Sequence, residues 1–212
     1  MRLLTQTISK TLHPAYRVQN VERGKLERFK TELARLLEHL GHSAAESEEH
    51  LKNIVSDFLK AAFYREEHFV NTKDRQDLVI HNGRTAKDSV GVIIETKKPG
   101  NKSEMISPEK PNAKALHELL RYYLNERNLA DNKEIRHLII TDINVWYLFD
   151  AADFERHIYA NNKLLKQYAA SSACIPSICP PEHSKGPTLG QSSLDVDRSR
   201  SGRQLTLSPR FV

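Results

Sequence analysis

Cysteine is scarce in this 212-residue chain, and that scarcity excludes a protein built on a disulfide framework. The two cysteines, Cys174 and Cys179, both lie late in the sequence. A single pair of this spacing makes a poor zinc site, which ordinarily needs four ligands. We therefore interpret them as incidental thiols, and we expect a reducing, cytoplasmic compartment.

Long apolar runs are also missing. No stretch approaches the roughly 18 apolar residues that a membrane span requires, and the opening MRLLTQTISK has too short an apolar run for a signal peptide. Charge of one sign is only mildly in excess, with a formal net charge of +5. This balance is compatible with a polyanionic partner but does not identify one. We expect no membrane partner.

The composition changes near residue 170. From Ser171 onward the chain is rich in Ser, Pro, Gly and Arg and has no apolar periodicity. Such a segment cannot bury enough surface to offset its ordering entropy, so we expect disorder there. We accordingly divide the chain into an N-terminal helical segment (1–42), a core (43–170) and a disordered tail (171–212).

Before residue 170, helical and extended apolar patterns alternate. Helices are predicted at about 20–40, from Ser43 or Ser47 to about 62, at about 111–127 and at about 153–168. Strands are predicted at 69–72, 77–81, 90–97, 138–141 and 145–149. An Asn-Gly turn at 82–83 is expected to join the second and third strands. This order predicts an α/β domain whose mixed sheet is flanked by helices.

The most informative stretch contains Asp77, Glu95 and Lys97 on two apolar strands. Because strand side chains alternate, Glu95 and Lys97 should project to the same side, and Asp77 on the neighbouring strand can meet them. Buried charges need partners, since an unpaired one is costly. Two carboxylates there form an oxygen-rich site for Mg²⁺, for which Mn²⁺ can substitute, and the Thr96 carbonyl could add a backbone ligand.

These residue types suit phosphodiester hydrolysis. A metal ion polarises a phosphate oxygen and lowers the pKa of a bound water. Beside that ion Lys97 should have a lowered pKa, and it could orient or deprotonate the water or stabilise developing charge. The same residues are also compatible with an ordinary ion pair at a sheet edge. A catalytically silent DNA-binding or subunit-docking module with this fold therefore stays open as an alternative.

Several longer blocks carry a family resemblance. The runs ESEEHLKNIVSDFL, NTKDRQDLVIHNG, VGVIIETKKPGNKSEM, NAKALHELLRYYLNER and HLIITDINVWYLFDAADFE resemble the N-terminal PD-(D/E)xK nuclease region of single-chain type IIG restriction-modification enzymes. The resemblance covers about residues 10–169 and implies a restriction-endonuclease-like fold and Mg²⁺-dependent endodeoxyribonuclease activity. It gives Asp77 and Glu95 the role of metal-binding acids and Lys97 that of the catalytic lysine. Gln76 replaces the proline of the motif, which supplies no ligand.

Four further positions follow from the resemblance or from charge. Glu48 should face inward and reach the metal through water, or else serve as an acid favoured at a helix N-terminus. His117 could touch a phosphate or be a structural histidine. Lys98 and Lys102 could steer DNA phosphates toward the site or belong to a solvated loop.

The resemblance also implies domains that this sequence does not contain. We find no methyltransferase motif, no S-adenosylmethionine site and no target-recognition domain, which suggests a truncated enzyme. The expected partner is double-stranded DNA, and cutting both strands would call for a homodimer. The nuclease part of a type I or type III restriction subunit is a further alternative.

Overall fold

The computed structural model describes residues 2–3, 6–42, 47–73, 78–166, 206–207 and 209–210. Its helices are α1 (Ile8–Thr11), α2 (Pro14–Arg17), α3 (Arg23–His42), α4 (Glu48–Leu59), α5 (Lys114–Asn128) and α6 (Ala151–Phe154). Its strands are β1 (Arg2–Leu3), β2 (Val70–Asn71), β3 (Leu78–His81), β4 (Val90–Thr96), β5 (His137–Thr141), β6 (Trp146–Asp150), β7 (Thr206–Leu207) and β8 (Pro209–Arg210). Stretches of π-helix follow α4 at Lys60–Tyr64 and α6 at Glu155–Tyr159.

Five strands form the mixed sheet that positions the site, in the order β2-β3-β4-β5-β6. Strands β4 and β5 are parallel, and the other neighbours in this order are antiparallel. Helix α5 connects the two parallel strands, as a parallel pair requires a long crossover. The short strand β8 adds to β6, and β1 pairs with β7. The α/β class and the mixed sheet flanked by helices are thus confirmed.

The sheet separates two apolar cores. Helices α5 and α6 cover one face, where Leu119 and Phe154 are fully buried with Ile93 of β4. Helices α3 and α4 cover the other face, where Leu36 and Val55 pack with Ile94. Six of the seven β4 residues are buried, which explains why its sequence is a nearly continuous apolar run. Strand β4 therefore carries its terminal polar residues deep into the molecule.

Helix α4 begins at the second of its two predicted start positions. The Ser47 side chain caps the helix by accepting a hydrogen bond from the His50 backbone N–H. Such a cap satisfies one of the N–H groups left without a partner at a helix start. Ser43, the other predicted start, lies outside the described residues. Ser47 therefore sets the position of Glu48, the first residue of α4.

The β3–β4 connection occupies the residues that the predicted strand bounds leave between them and extends beyond the Asn-Gly pair. It spans residues 82–89, and the Asn82 side chain donates a hydrogen bond to the Ser89 hydroxyl. Gly91 lets this amide approach, because a Cβ atom there would lie 2.2 Å from the Asn82 side-chain oxygen. The pairing register also shifts between Ile80 and His81. Side-chain hydrogen bonds such as the one from Asn82 to Ser89 hold the loop together.

The β5–β6 turn contains a strained residue. Ile143 has a φ of 75° although it is β-branched, and its side chain is buried in the core under α3 and α4. The Trp146 indole N–H donates to the Ile143 carbonyl at 2.9 Å, and the Val145 N–H donates to the Asp142 carboxylate at 2.8 Å. Side-chain packing and local hydrogen bonds together hold this turn.

The predicted tail lies almost entirely outside the described residues. Of 171–212, the structure describes only β7 and β8, so the prediction of disorder for the remainder is not tested. Both cysteines fall in that undescribed part. Among the described helices, none is long and apolar enough to cross a membrane.

Candidate functional site

Four carboxylates surround the ammonium group of Lys97, whose side chain is only 4% exposed. Its Nζ lies 2.6 Å from Glu95 Oε1 and 2.7 Å from Glu118 Oε2. The carboxylates of Glu48 and Glu104 each approach to 4.0 Å. We call these five residues the Lys97 cluster.

The end of β4 places Glu95 and Lys97 together. Glu95 is opposite Ile140 of β5 and is 1% exposed on the sheet face covered by α5. The Lys97 backbone N–H donates to the Thr141 carbonyl at 2.8 Å, which prolongs the pairing past the last strand residue. Thr96 lies between them and faces the opposite side of the sheet. Their contact agrees with the expectation that Glu95 and Lys97 project to the same side.

Glu118 was missed by the sequence analysis. It lies on α5 three residues after buried Ala115 and four before buried Tyr122, so it borders the apolar face of that helix. An acid at such spacing could have been singled out as a candidate for an inward-facing group. The sequence analysis instead named the preceding residue, His117.

Glu104 was also missed, and no sequence signal identifies it. It lies in the loop between β4 and α5, immediately before buried Met105 and Ile106. Its backbone carbonyl accepts a hydrogen bond from the Ala115 N–H at 3.1 Å. The path of this loop, which the apolar pattern does not reveal, brings the carboxylate to the cluster.

The electrostatics of the cluster favour the ion pair. Burial alone lowers the pKa of Lys97, but the Glu95 charge and the hydrogen bonds with Glu118 and Glu95 outweigh it, and the pKa is raised well above its ordinary value. Burial likewise raises the pKa of Glu118, but its contacts with Lys97 and Glu95 lower it overall. The direction for Lys97 is therefore opposite to the one expected beside a metal ion, because carboxylates dominate its surroundings.

The remaining predicted residues are placed differently. His117 makes a hydrogen bond of 2.6 Å between its Nε2 and the Asn112 side-chain oxygen, and burial lowers its pKa. This partner favours the structural alternative for His117, since Glu118 and not His117 contacts Lys97. Lys98 and Lys102 are exposed in the loop after β4. Asp77, with the rest of 74–77, lies outside the described residues.

A second charged cluster lies further along α5. Glu126, which is 3% exposed, contacts Lys73 Nζ at 2.6 Å and the Asn132 amide at 3.2 Å. Arg127 donates to both Glu155 oxygens, at 3.0 and 2.8 Å, and its guanidinium lies 4.5 Å from the Tyr159 ring centroid. The Tyr123 hydroxyl donates to the same Glu155 carboxylate at 2.6 Å. We call this set the brace cluster: Lys73, Tyr123, Glu126, Arg127, Asn132, Glu155 and Tyr159.

The donor atoms of the Lys97 cluster are oxygens of one chemical type. Its ligand atoms are all carboxylate oxygens, the type that Mg²⁺ prefers, and they already converge on one cationic atom, Lys97 Nζ. Within the part of the chain that the structure describes, which leaves out 74–77, no three His, Cys, Asp or Glu residues form a group that could hold a metal ion. The cations that these carboxylates contact are the Lys97 ammonium and, for Glu104, also that of Lys114 at 3.1 Å.

The fold and site define an α/β mixed-sheet domain with a buried lysine held by glutamates at one end of a central strand. The chain belongs to the family described as Domain of unknown function (DUF7149), whose model matches residues 6–174. No curated protein and no solved structure matches the chain. The matched range contains both charged clusters, and because the family description names no activity, the function has to be argued from these residues.

Proposed function

We propose that this chain is a metal-dependent DNA endonuclease domain that hydrolyses phosphodiester bonds, related to the nuclease region of type IIG restriction-modification enzymes. The observation that carries the proposal is the contact of 2.6 Å between Glu95 and Lys97 at the end of a buried central strand. A carboxylate and a lysine joined in this way, with further carboxylates around them, supply the residue types that phosphodiester hydrolysis uses. A restriction-endonuclease-like fold is part of the same proposal.

The charge of the Lys97 cluster supports a cation requirement. Four carboxylates against two ammonium groups, Lys97 and the Lys114 that contacts Glu104 at 3.1 Å, leave two negative charges formally in excess. Holding like charges together in a partly buried site is unfavourable unless a counter-charge is present. A divalent cation would supply the two missing positive charges. This excess distinguishes the cluster from an ordinary ion pair at a sheet edge.

The positions of the carboxylates and of Lys97 suggest what each side chain would do in the reaction. Glu95 and Glu118 would hold the metal ion, together with Asp77 and the Thr96 carbonyl expected from the sequence. When bound, such an ion supplies charge neutralisation and lowers the pKa of a coordinated water. Two of the three Lys97 N–H groups point to Glu95 and Glu118. The third could donate to a phosphate oxygen and stabilise the negative charge that develops there.

Nicking of supercoiled plasmid in Mg²⁺ or Mn²⁺ tests the proposal. We expect cleavage by the wild-type chain and loss of cleavage in Asp77→Ala, Glu95→Gln and Lys97→Ala. Glu134→Gln is the matched control, because Glu134 is an exposed glutamate that contacts Ser89, far along the sheet from Lys97. Circular dichroism melting verifies that each variant is folded.

The opposite outcome has a defined meaning. A folded wild-type chain that nicks no plasmid and shows no change in melting temperature with Mg²⁺ would contradict the proposal. The catalytically silent DNA-binding or docking module would then be the better description. Equal nicking by the wild type and the Glu95→Gln and Lys97→Ala variants would mean that the activity comes from another site.

A further inference from the structure

Lys114 links the Lys97 cluster to the solvent. Its Nζ lies 3.1 Å from Glu104 Oε2, and the same carboxylate oxygen lies 4.0 Å from Lys97 Nζ. One glutamate thus connects two ammonium groups, one 4% exposed and the other 53% exposed. The buried ammonium belongs to the cluster, and the exposed one can be reached from outside.

A second relation places Lys114 at the same point. Lys114 is the first residue of α5 and precedes Glu118 by four residues, so the two side chains are neighbours on one helical face. Because Glu118 contacts Lys97 at 2.7 Å, Lys114 lies one helical turn from the innermost ion pair. Both its position on α5 and its contact with Glu104 therefore place Lys114 beside the Lys97 cluster.

Other lysines near the site lack this connection. Lys110 donates its side-chain hydrogen bond to the Ser103 carbonyl at 2.8 Å, within its own loop. Lys98 and Lys102 are exposed, and the ion pairs recorded among the described residues join neither of them to the Lys97 cluster. Lys114 is thus better placed than the lysines named from the sequence.

We propose that Lys114 is a substrate-binding residue that contacts a DNA backbone phosphate beside the Lys97 cluster. This inference rests on the proposed function, since it takes DNA as the substrate. Glu104 holds the partly exposed Lys114 ammonium beside the cluster, where its remaining N–H groups can donate to a phosphate oxygen, a common lysine contact in DNA complexes. The contact is sequence-independent, because a phosphate carries no base identity.

The test is duplex DNA binding by fluorescence anisotropy in EDTA over a series of salt concentrations. Wild type is compared with Lys114→Gln, Lys114→Arg, Lys98→Gln and the control Lys87→Gln, which removes another exposed charge, from the β3–β4 loop. Losing one phosphate contact reduces the salt slope by about one unit, which is on the order of eightfold in affinity at 0.1 M salt. We expect this loss in Lys114→Gln, its recovery in Lys114→Arg, and smaller effects in Lys98→Gln and Lys87→Gln.

The outcomes separate this inference from the proposed function. A Lys114→Gln variant that matches Lys87→Gln in affinity and salt slope overturns the inference even if the wild type nicks DNA. A wild type that binds DNA but never nicks it contradicts the nuclease while the Lys114 contact can still be established. A folded wild type that binds no duplex DNA overturns both.

Discussion

The two ends of α5 carry charged clusters of different composition. In the brace cluster, Lys73 and Arg127 balance Glu126 and Glu155 one for one. In the Lys97 cluster, four glutamates converge on one buried lysine. Both clusters use the same helix and the same kinds of side chain. Only the brace cluster is complete as a set of ion pairs.

This difference shows which charges the fold requires. Balanced pairs such as Arg127 with Glu155 tie α5 to the helical turn after α6 and leave no charge to be neutralised. An excess of carboxylates contributes nothing comparable to packing, and like charges held together oppose folding. We infer that the surplus glutamates of the Lys97 cluster are explained by binding rather than by stability.

The strongest test of this comparison removes the one cation of the acidic cluster. Lys97→Met keeps most of the side-chain volume but leaves buried Glu95 without its counter-charge, so we expect a loss of about 3–5 kcal/mol in the free energy of unfolding. Urea denaturation measures it. Millimolar Mg²⁺ should recover part of this loss, and more than it adds to the wild type. An unchanged stability would mean that the carboxylates do not depend on Lys97.

The next largest effect is expected in the brace cluster. Arg127→Ala removes the two hydrogen bonds to Glu155 and the contact with the Tyr159 ring. We expect a loss of roughly 2 kcal/mol in the free energy of unfolding, because a bidentate guanidinium pair is among the stronger surface contacts. Arg121→Ala, an exposed arginine of the same helix, is the control. Plasmid nicking per folded molecule should stay unchanged in Arg127→Ala. A loss of nicking would contradict the assignment of the brace cluster to stability alone.

A smaller effect on thermal stability, that of the Glu155 carboxylate, should depend on pH. Hydrogen bonds from Arg127 lower the pKa of Glu155 below its ordinary value of 4.5, despite the opposing effect of burial. The stabilisation by this carboxylate is therefore fully present above pH 4.5 and is lost as the pH falls through the folded-state pKa. Melting temperatures of the wild type and Glu155→Gln should differ by a constant amount between pH 5 and 7 and converge below pH 4.5. A difference that persists at lower pH would contradict this origin.

The smallest effect on stability is expected for Glu48→Gln. The Glu48 carboxylate is 37% exposed and 4.0 Å from Lys97 Nζ, so we expect a change below about 0.5 kcal/mol. Thermal melting measures it, with Glu49→Gln on the same helical turn as the control. If Glu48 assists a metal ion, nicking should fall while the melting temperature does not. A large loss of stability would place Glu48 among the structural charges.

The structural features that depend on local periodicity could be predicted from the sequence. Strand β4 follows from its apolar run, and the shared side of Glu95 and Lys97 follows from the strand repeat of two. Helix α5 was expected at about 111–127 and is found at Lys114–Asn128, later because Pro111 and Asn112 precede it. These features need no knowledge of distant contacts.

What the sequence did not predict depends on loop paths and on side-chain hydrogen bonds. Glu104 joins the site through a loop without apolar periodicity, and the Asn82 side chain bonds to Ser89 across the connection 82–89. The short helices α1 and α2 were not predicted, since α2 buries none of its residues. The position of Glu104 depends on tertiary contacts, and helices as short and exposed as α2 leave no apolar periodicity, so neither can be predicted from propensity and pattern.

The strained turn at Ile143 has a consequence for how the site assembles. A β-branched residue with positive φ costs on the order of 1–3 kcal/mol and persists only while its surroundings hold it. Its side chain is held by the layer that contains Leu36 and Val55, and the same turn begins at Thr141, whose carbonyl accepts the Lys97 N–H. The sheet alone would therefore relax this turn and release the Lys97 backbone. Docking of α3 and α4 should thus stabilise the turn and, through the Thr141 carbonyl, the backbone position of Lys97.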